Sequence, residues 1–162
     1  MKTWHAVIGD ALNMLVHSDR YAYFYGAKGQ KLTPETMEAL WNAEPEYFKR
    51  YTQKQKDAIF KYSNGKIGFD CSGFIAHLTG CNTWSGAIWD RCRDKTTPKN
   101  GPAASILWKP GHVALDIGYG YGVEMGVEKS SVVLFRIADH DPKFEGSGRL
   151  KAFIDYEGAT NR

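Results

Sequence analysis

The 162-residue chain reads as one α+β domain, with N-terminal helices packed on a central antiparallel β-sheet. Two observations predict this. Apolar residues recur at helical spacing in the first half of the chain, then alternate in short runs punctuated by glycine towards its end. No internal repeat, low-complexity segment or linker divides residues 1–162.

Trp4, Val7, Ile8, Leu12, Leu15 and Val16 place an amphipathic helix over residues 4–17. Tyr21 to Gly26 is short and aromatic, an extended segment closed by glycine. Thr33-Pro34-Glu35-Thr36 opens the next helix, with threonine as N-cap and proline at the first helical position. Met37, Leu40 and Trp41 share one face of it. A short helix from Pro45 through Phe48 and Tyr51, and another over Gln53–Tyr62, precede a turn at Ser63-Asn64-Gly65-Lys66. A loop then leads into a helix from Cys71 to Leu78 that stops at Gly80. Residues 84–93 form a further short helix and 96–102 a loop. Strands are expected near 104–108, 112–118, 122–127, 131–137 and 150–154.

Composition bounds the function. The net charge of +3 and a pI near 8.7 suit weak attraction to an anionic polymer. Lysines and arginines are scattered, without a basic stripe or base-stacking motif, so nucleic acid is not an expected partner. No apolar run approaches the ~20 residues of a membrane span. Gly9, Asp10 and Asn13 interrupt the N-terminal segment, which does not read as a signal peptide. The expected route is therefore synthesis in the cytoplasm, then action after release or non-classical export. A secreted protein whose leader was removed is the competing reading. Three cysteines cannot form a complete disulfide framework, and Cys81 and Cys92 are either a pair or two unpaired thiols.

The chemistry concentrates in Phe69-Asp70-Cys71-Ser72-Gly73-Phe74-Ile75. Asp70 is a candidate N-cap, which puts Cys71 in the first turn, beside unpaired N–H groups and the positive end of the helix dipole. That field favours thiolate and makes the residue a nucleophile. Downstream, Gly111-His112-Val113 opens an alternating strand, giving the second half of a thiol-based acyl transfer. Gly111 is expected to let another backbone approach closely. Glu124, twelve residues on and across a hairpin, can accept the imidazole N–H and raise the histidine pKa. His5, His17 and His140 carry no comparable context. A zinc site from His77, Cys81 and Cys92 lacks a Cys-x-x-Cys knuckle, so no metal is expected. Trp84, Trp89 and Trp108 could line a groove, with core packing the commoner use of such residues.

Asp-Cys-Ser-Gly with a following apolar pair, then Gly-His-Val opening a strand that ends Ile117-Gly118, resembles the NlpC/P60 family of papain-like cell-wall peptidases. Tyr23-Phe24-Tyr25-Gly26 is similar to the family's Tyr-x-aromatic-Gly segment, and Gly122-Val123-Glu124 falls at its third polar catalytic residue. There the family more often has histidine, asparagine or glutamine, so glutamate is a partial departure. The resemblance runs from about Trp4 to Tyr156. It implies a papain-like fold, with Cys71, His112 and Glu124 as the catalytic triad and no metal or organic cofactor. It further implies that Tyr23 polarises the scissile carbonyl together with the Cys71 N–H. Asp70 and Ser72 would receive the amino group of a stem peptide. Residues 30–62 would be a helical insertion flanking the cleft.

The expectation is a monomeric endopeptidase acting on peptidoglycan or muropeptides, cutting a γ-D-glutamyl–diamino acid bond through a thioester. The alternatives are a thiol amidase or acyltransferase on a non-wall substrate, and a non-catalytic wall-binding module.

Overall fold

The computed structural model describes residues 1–127 and 130–160. The chain opens with β1 (Lys2–Thr3), α1 (Trp4–Val16), β2 (Tyr21–Tyr23) and β3 (Lys28–Lys31). Three helices follow, α2 (Pro34–Ala43), α3 (Pro45–Phe48) and α4 (Gln53–Ser63), then β4 (Ile67–Phe69), α5 (Cys71–Thr79) and α6 (Ser85–Arg91). The remainder is β5 (Arg93–Thr96), β6 (Ile106–Lys109), β7 (His112–Gly118), β8 (Tyr121–Gly126), β9 (Ser131–Arg136), β10 (Gly146–Arg149) and β11 (Ile154–Asp155). The main sheet runs β5-β10-β6-β7-β8-β9 and is antiparallel throughout.

α5 is the central helix. Phe74, Ile75 and Leu78 are fully buried and meet Val7, Ala11 and Met14 of α1 on one side, and Val113, Leu115, Val123 and Met125 of the sheet on the other. Burying one such side chain contributes roughly 1.5–3 kcal/mol, which holds the start of α5 in place. α2–α4 build a second cluster on Phe24, Leu32, Met37 and Phe48. Capping boxes start α2 at Thr33 and α4 at Thr52, each with its N3 side chain returned to the cap N–H.

Alternation splits β7 between two faces. Val113 and Leu115 point to the main core, whereas His112, Ala114 and Asp116 lie on the other face. There Ala114 packs with Leu107 and Phe144, flanked by Phe135 and Ile137. The chain from Ile137 to Glu145 therefore covers the outer face beside His112.

Two expectations are corrected, and two strands went undetected. Residues 67–69, read as loop, form β4, which pairs parallel with β2 and antiparallel with β3. The polar β3 and β5 gave no hydrophobic period to detect, since their residues are exposed or half-buried. The strand expected at 150–154 is shifted: β10 spans Gly146–Arg149, and residues 151–153 turn. Its glycines carry no strand signal but permit close packing, because a Cβ at Gly146 would sit 2.5 Å from the Trp89 ring.

Candidate active site

Cys71 opens α5 and is 8% exposed. Asp70 caps the helix, its Oδ1 accepting the Gly73 N–H at 2.6 Å. Gly73 must be glycine: a Cβ there would lie 2.4 Å from the Ala27 carbonyl oxygen. The Cys71 thiol lies 3.9 Å from the Gly111 carbonyl and within hydrogen-bonding reach of the His112 imidazole. Gly111 itself has φ +77° with open space at its Cβ position. It is needed for a left-handed turn into β7, not for the close backbone approach expected from sequence.

His112 Nε2 is 2.5 Å from Glu124 Oε2. Continuing the Leu115–Val123 register puts Glu124 opposite Ala114, one same-face step from His112, a diagonal reach that long side chains span. With Nε2 on Glu124, Nδ1 is the nitrogen left for the thiol. Burial pushes the His112 pKa down, but hydrogen bonds and charge from Cys71 and Glu124 outweigh it and lift the value to about 9. Burial raises the Glu124 carboxyl, and His112 and His140 reverse this, leaving it below its ordinary value.

His140 joins the site although nothing in its sequence context pointed to it. Its Nε2 lies 3.2 Å from both Glu124 oxygens, and Nδ1 lies 3.0 Å from the Pro142 carbonyl. Phe144 and Phe135 enclose the ring at 4.5 and 4.8 Å between centroids. One donor atom each from His112, Glu124 and His140 falls within 4.8 Å of the others, a reach compatible with a metal ion. Both imidazoles hydrogen-bond the one carboxylate.

Asp70 and Ser72 are adjacent to the thiol but already engaged. Lys28 Nζ lies 3.0 Å from Asp70 Oδ1 and 3.2 Å from Oδ2, and also donates to Ser72 Oγ. The Ser72 hydroxyl and the Gly26 N–H donate to the same carboxylate at 2.9 and 3.2 Å. The expected receptor for a substrate amine thus holds an ammonium of the chain itself.

A cleft of about 490 Å³ leads to Cys71, walled by Tyr23, Tyr25, Asp70, Trp84, Trp89 and Trp108 among others. Trp89 and Trp108 stack at 5.1 Å, and Trp84 is 66% exposed, so the three tryptophans line a groove as well as packing. Tyr23 is half-buried and hydrogen-bonded with Tyr47 of α3, and desolvation of its phenol holds the pKa far above the ordinary range. It therefore stays protonated, and its hydroxyl stands at the cleft wall beside Cys71. Cys81 and Cys92 are free, buried thiols, and Cys92 bonds the Ile88 carbonyl.

The structure thus brings together a cysteine that opens a helix, a histidine that opens β7 and a carboxylate on the next strand, β8. Among solved structures, the chain is similar to the peptidoglycan hydrolase RipB from Mycobacterium tuberculosis, with a TM-score of 0.55 at 17% identity over 91% of this chain. It spans 66% of that chain, just under two thirds. It is also similar to the P60 domain of an antigen from M. avium subspecies paratuberculosis, at 16% identity and a TM-score of 0.49, covering 91% of this chain and 96% of that one. No protein-family profile and no curated sequence matches it. The fold is the α+β, papain-like NlpC/P60 type that the motifs implied.

Proposed function

We propose that this chain is a cysteine peptidase of peptidoglycan, cutting an amide of the stem peptide, with the γ-D-glutamyl–diamino acid bond as the first candidate. The observation that carries the reading is the continuous run from the Cys71 thiol through His112 to Glu124 at the mouth of an aromatic cleft.

In this reading the His112 Nδ1 takes the Cys71 proton, and the thiolate adds to the scissile carbonyl. The negative oxygen that forms is met by the Cys71 N–H at the start of α5 and by the Tyr23 hydroxyl. Collapse to the thioester expels the amine, which leaves with the proton from His112. Water then attacks the thioester, with His112 as base. Glu124 keeps the imidazole oriented and stabilises its charged form, and His140 positions Glu124. The aromatic wall from α3 and the preceding segment, including Tyr25 stacked on Tyr47 at 3.7 Å, selects the peptide around the bond.

The test is mass spectrometry of muropeptides incubated with the wild type and with Cys71→Ser. New fragments from the wild type alone would support the reading and identify the bond. If neither protein changes the mixture while Cys71 reacts rapidly with iodoacetamide at neutral pH, the wall substrate is wrong. A thiol amidase or acyltransferase on another substrate then stands, a second reading favoured by the Lys28–Asp70 ion pair where a stem-peptide amine was expected.

A further inference from the structure

Asp116 is a buried carboxyl that the proposed reaction does not use. It is 3% exposed and lies on the His112 face of β7, roughly 13 Å further along the strand. Its Oδ1 accepts the Gly118 N–H at 2.7 Å, and no cation among the described residues pairs with it. Burial lifts its pKa to about 7 in spite of that bond. An asparagine oxygen would accept the same bond at a lower desolvation cost, so turn geometry alone does not account for a carboxyl here.

The side chain lines a cavity of about 700 Å³, within the size range of small-molecule sites. The cavity lies between residues 97–101, the β7–β8 turn and residues 136–144. Two aromatic rings stand at its edge: Tyr119 is 77% exposed and Tyr121 38% exposed. Tyr119 has φ +55°, a left-handed conformation unfavourable for such a residue, which turns the chain at this rim. Lys99, Arg136 and Lys143 add three positive charges to the walls. Among the described residues Arg136 pairs with the exposed Asp139, at 3.5 Å, and Lys143 bonds the Ala138 carbonyl, so both remain at the rim.

We propose that this cavity is a saccharide subsite for a pyranoside that carries a carboxylate. Asp116 accepts hydroxyl or amide N–H donors at its floor, and the tyrosine rings cover the apolar C–H face of the sugar. Arg136, Lys99 and Lys143 hold the carboxylate. The subsite needs no turnover. A stem peptide takes the sugar's carboxyl as an amide, so if the wall reading holds, the subsite engages a peptide-free muramic acid next to the unit whose stem peptide reaches the cleft.

The test is calorimetric titration with the disaccharide N-acetylglucosaminyl-N-acetylmuramic acid, which has no stem peptide to cut, and with neutral chitobiose. We expect saturable binding of the acidic disaccharide in the millimolar range or tighter, weakened about tenfold by Asp116→Asn. Chitobiose should bind more weakly than the acidic disaccharide, and Arg136→Ala should remove that difference. Should Asp116→Asn fold poorly, Tyr119→Ala, at an exposed position, should also weaken binding. No saturable binding of the acidic disaccharide, equal affinity for chitobiose, or full affinity in both Asp116→Asn and Tyr119→Ala overturns the proposal. Because the readout is binding, Cys71→Ser must behave as the wild type, which keeps this test separate from that of the peptidase.

Discussion

His140 Nε2 stands 3.2 Å from both oxygens of Glu124, the same carboxylate that His112 engages at 2.5 Å. A carboxylate shared by two imidazoles has little freedom to rotate, so the ring it steers is held by two strands and a covering loop together. His140→Ala should lower kcat about tenfold with KM little changed, the scale of losing a group that orients a reacting one. Steady-state kinetics on muropeptides, with the melting temperature as control, checks this. An unchanged kcat would reduce His140 to packing.

The pH dependence follows from His112. Its folded pKa of about 9 exceeds the ordinary 6.5, so the protonated ring is favoured by the native state. The stabilisation is fully present below about pH 6.5 and lost as pH rises through about 9. The wild type should therefore melt at lower temperature as pH rises across that window. Glu124→Gln should bring the His112 pKa down towards the ordinary value and flatten the dependence. Imidazole NMR titration measures the first effect and thermal melts the second.

Lys28→Met keeps the aliphatic stem and removes the ammonium from Asp70. With the lysine side chain 35% exposed, the stability loss should be modest, about 1 kcal/mol. The informative change is in specificity. Wild type should cut stem peptides with free and acetylated amino termini at similar rates, whereas the variant should favour the free amine by about tenfold. Paired kinetic assays on the two substrates decide it.

Gly73→Ala tests the seating of α5, the helix that Cys71 opens. The new methyl would meet the Ala27 carbonyl oxygen at 2.4 Å and the Asp70 carboxylate at 3.2 Å. Backbone cannot yield cheaply there, so urea unfolding should show a loss of about 2 kcal/mol or more. Activity should fall with it.

The parts of this site that local pattern controls were legible. A cap residue before a cysteine and a histidine at the head of an alternating strand are short-range signals, and both residues meet in the structure. Glu124 followed from hairpin register. His140 did not, because it reaches the site through a loop that returns over the outer sheet face, and nothing near it in sequence encodes that return. Lys28 was hidden for a different reason. It lies in Lys-Gly-Gln-Lys, a polar strand with no hydrophobic period, and its meaning comes only from pairing with Asp70 across β3 and β4.

The two hydrophobic clusters have a consequence for motion. Phe24, Leu32, Met37 and Phe48 pack with α2–α4, apart from the cluster that anchors α5. Tyr47, the partner of Tyr23 at the cleft, belongs to the smaller group. Regions with their own small core open at lower free energy than the global transition. Amide hydrogens of α3 and α4 should therefore exchange with solvent before those of α5. One side of the cleft then breathes while the Cys71 thiol keeps its place, so under the proposed function a bulky substrate would enter without disturbing the Cys71–His112 pair.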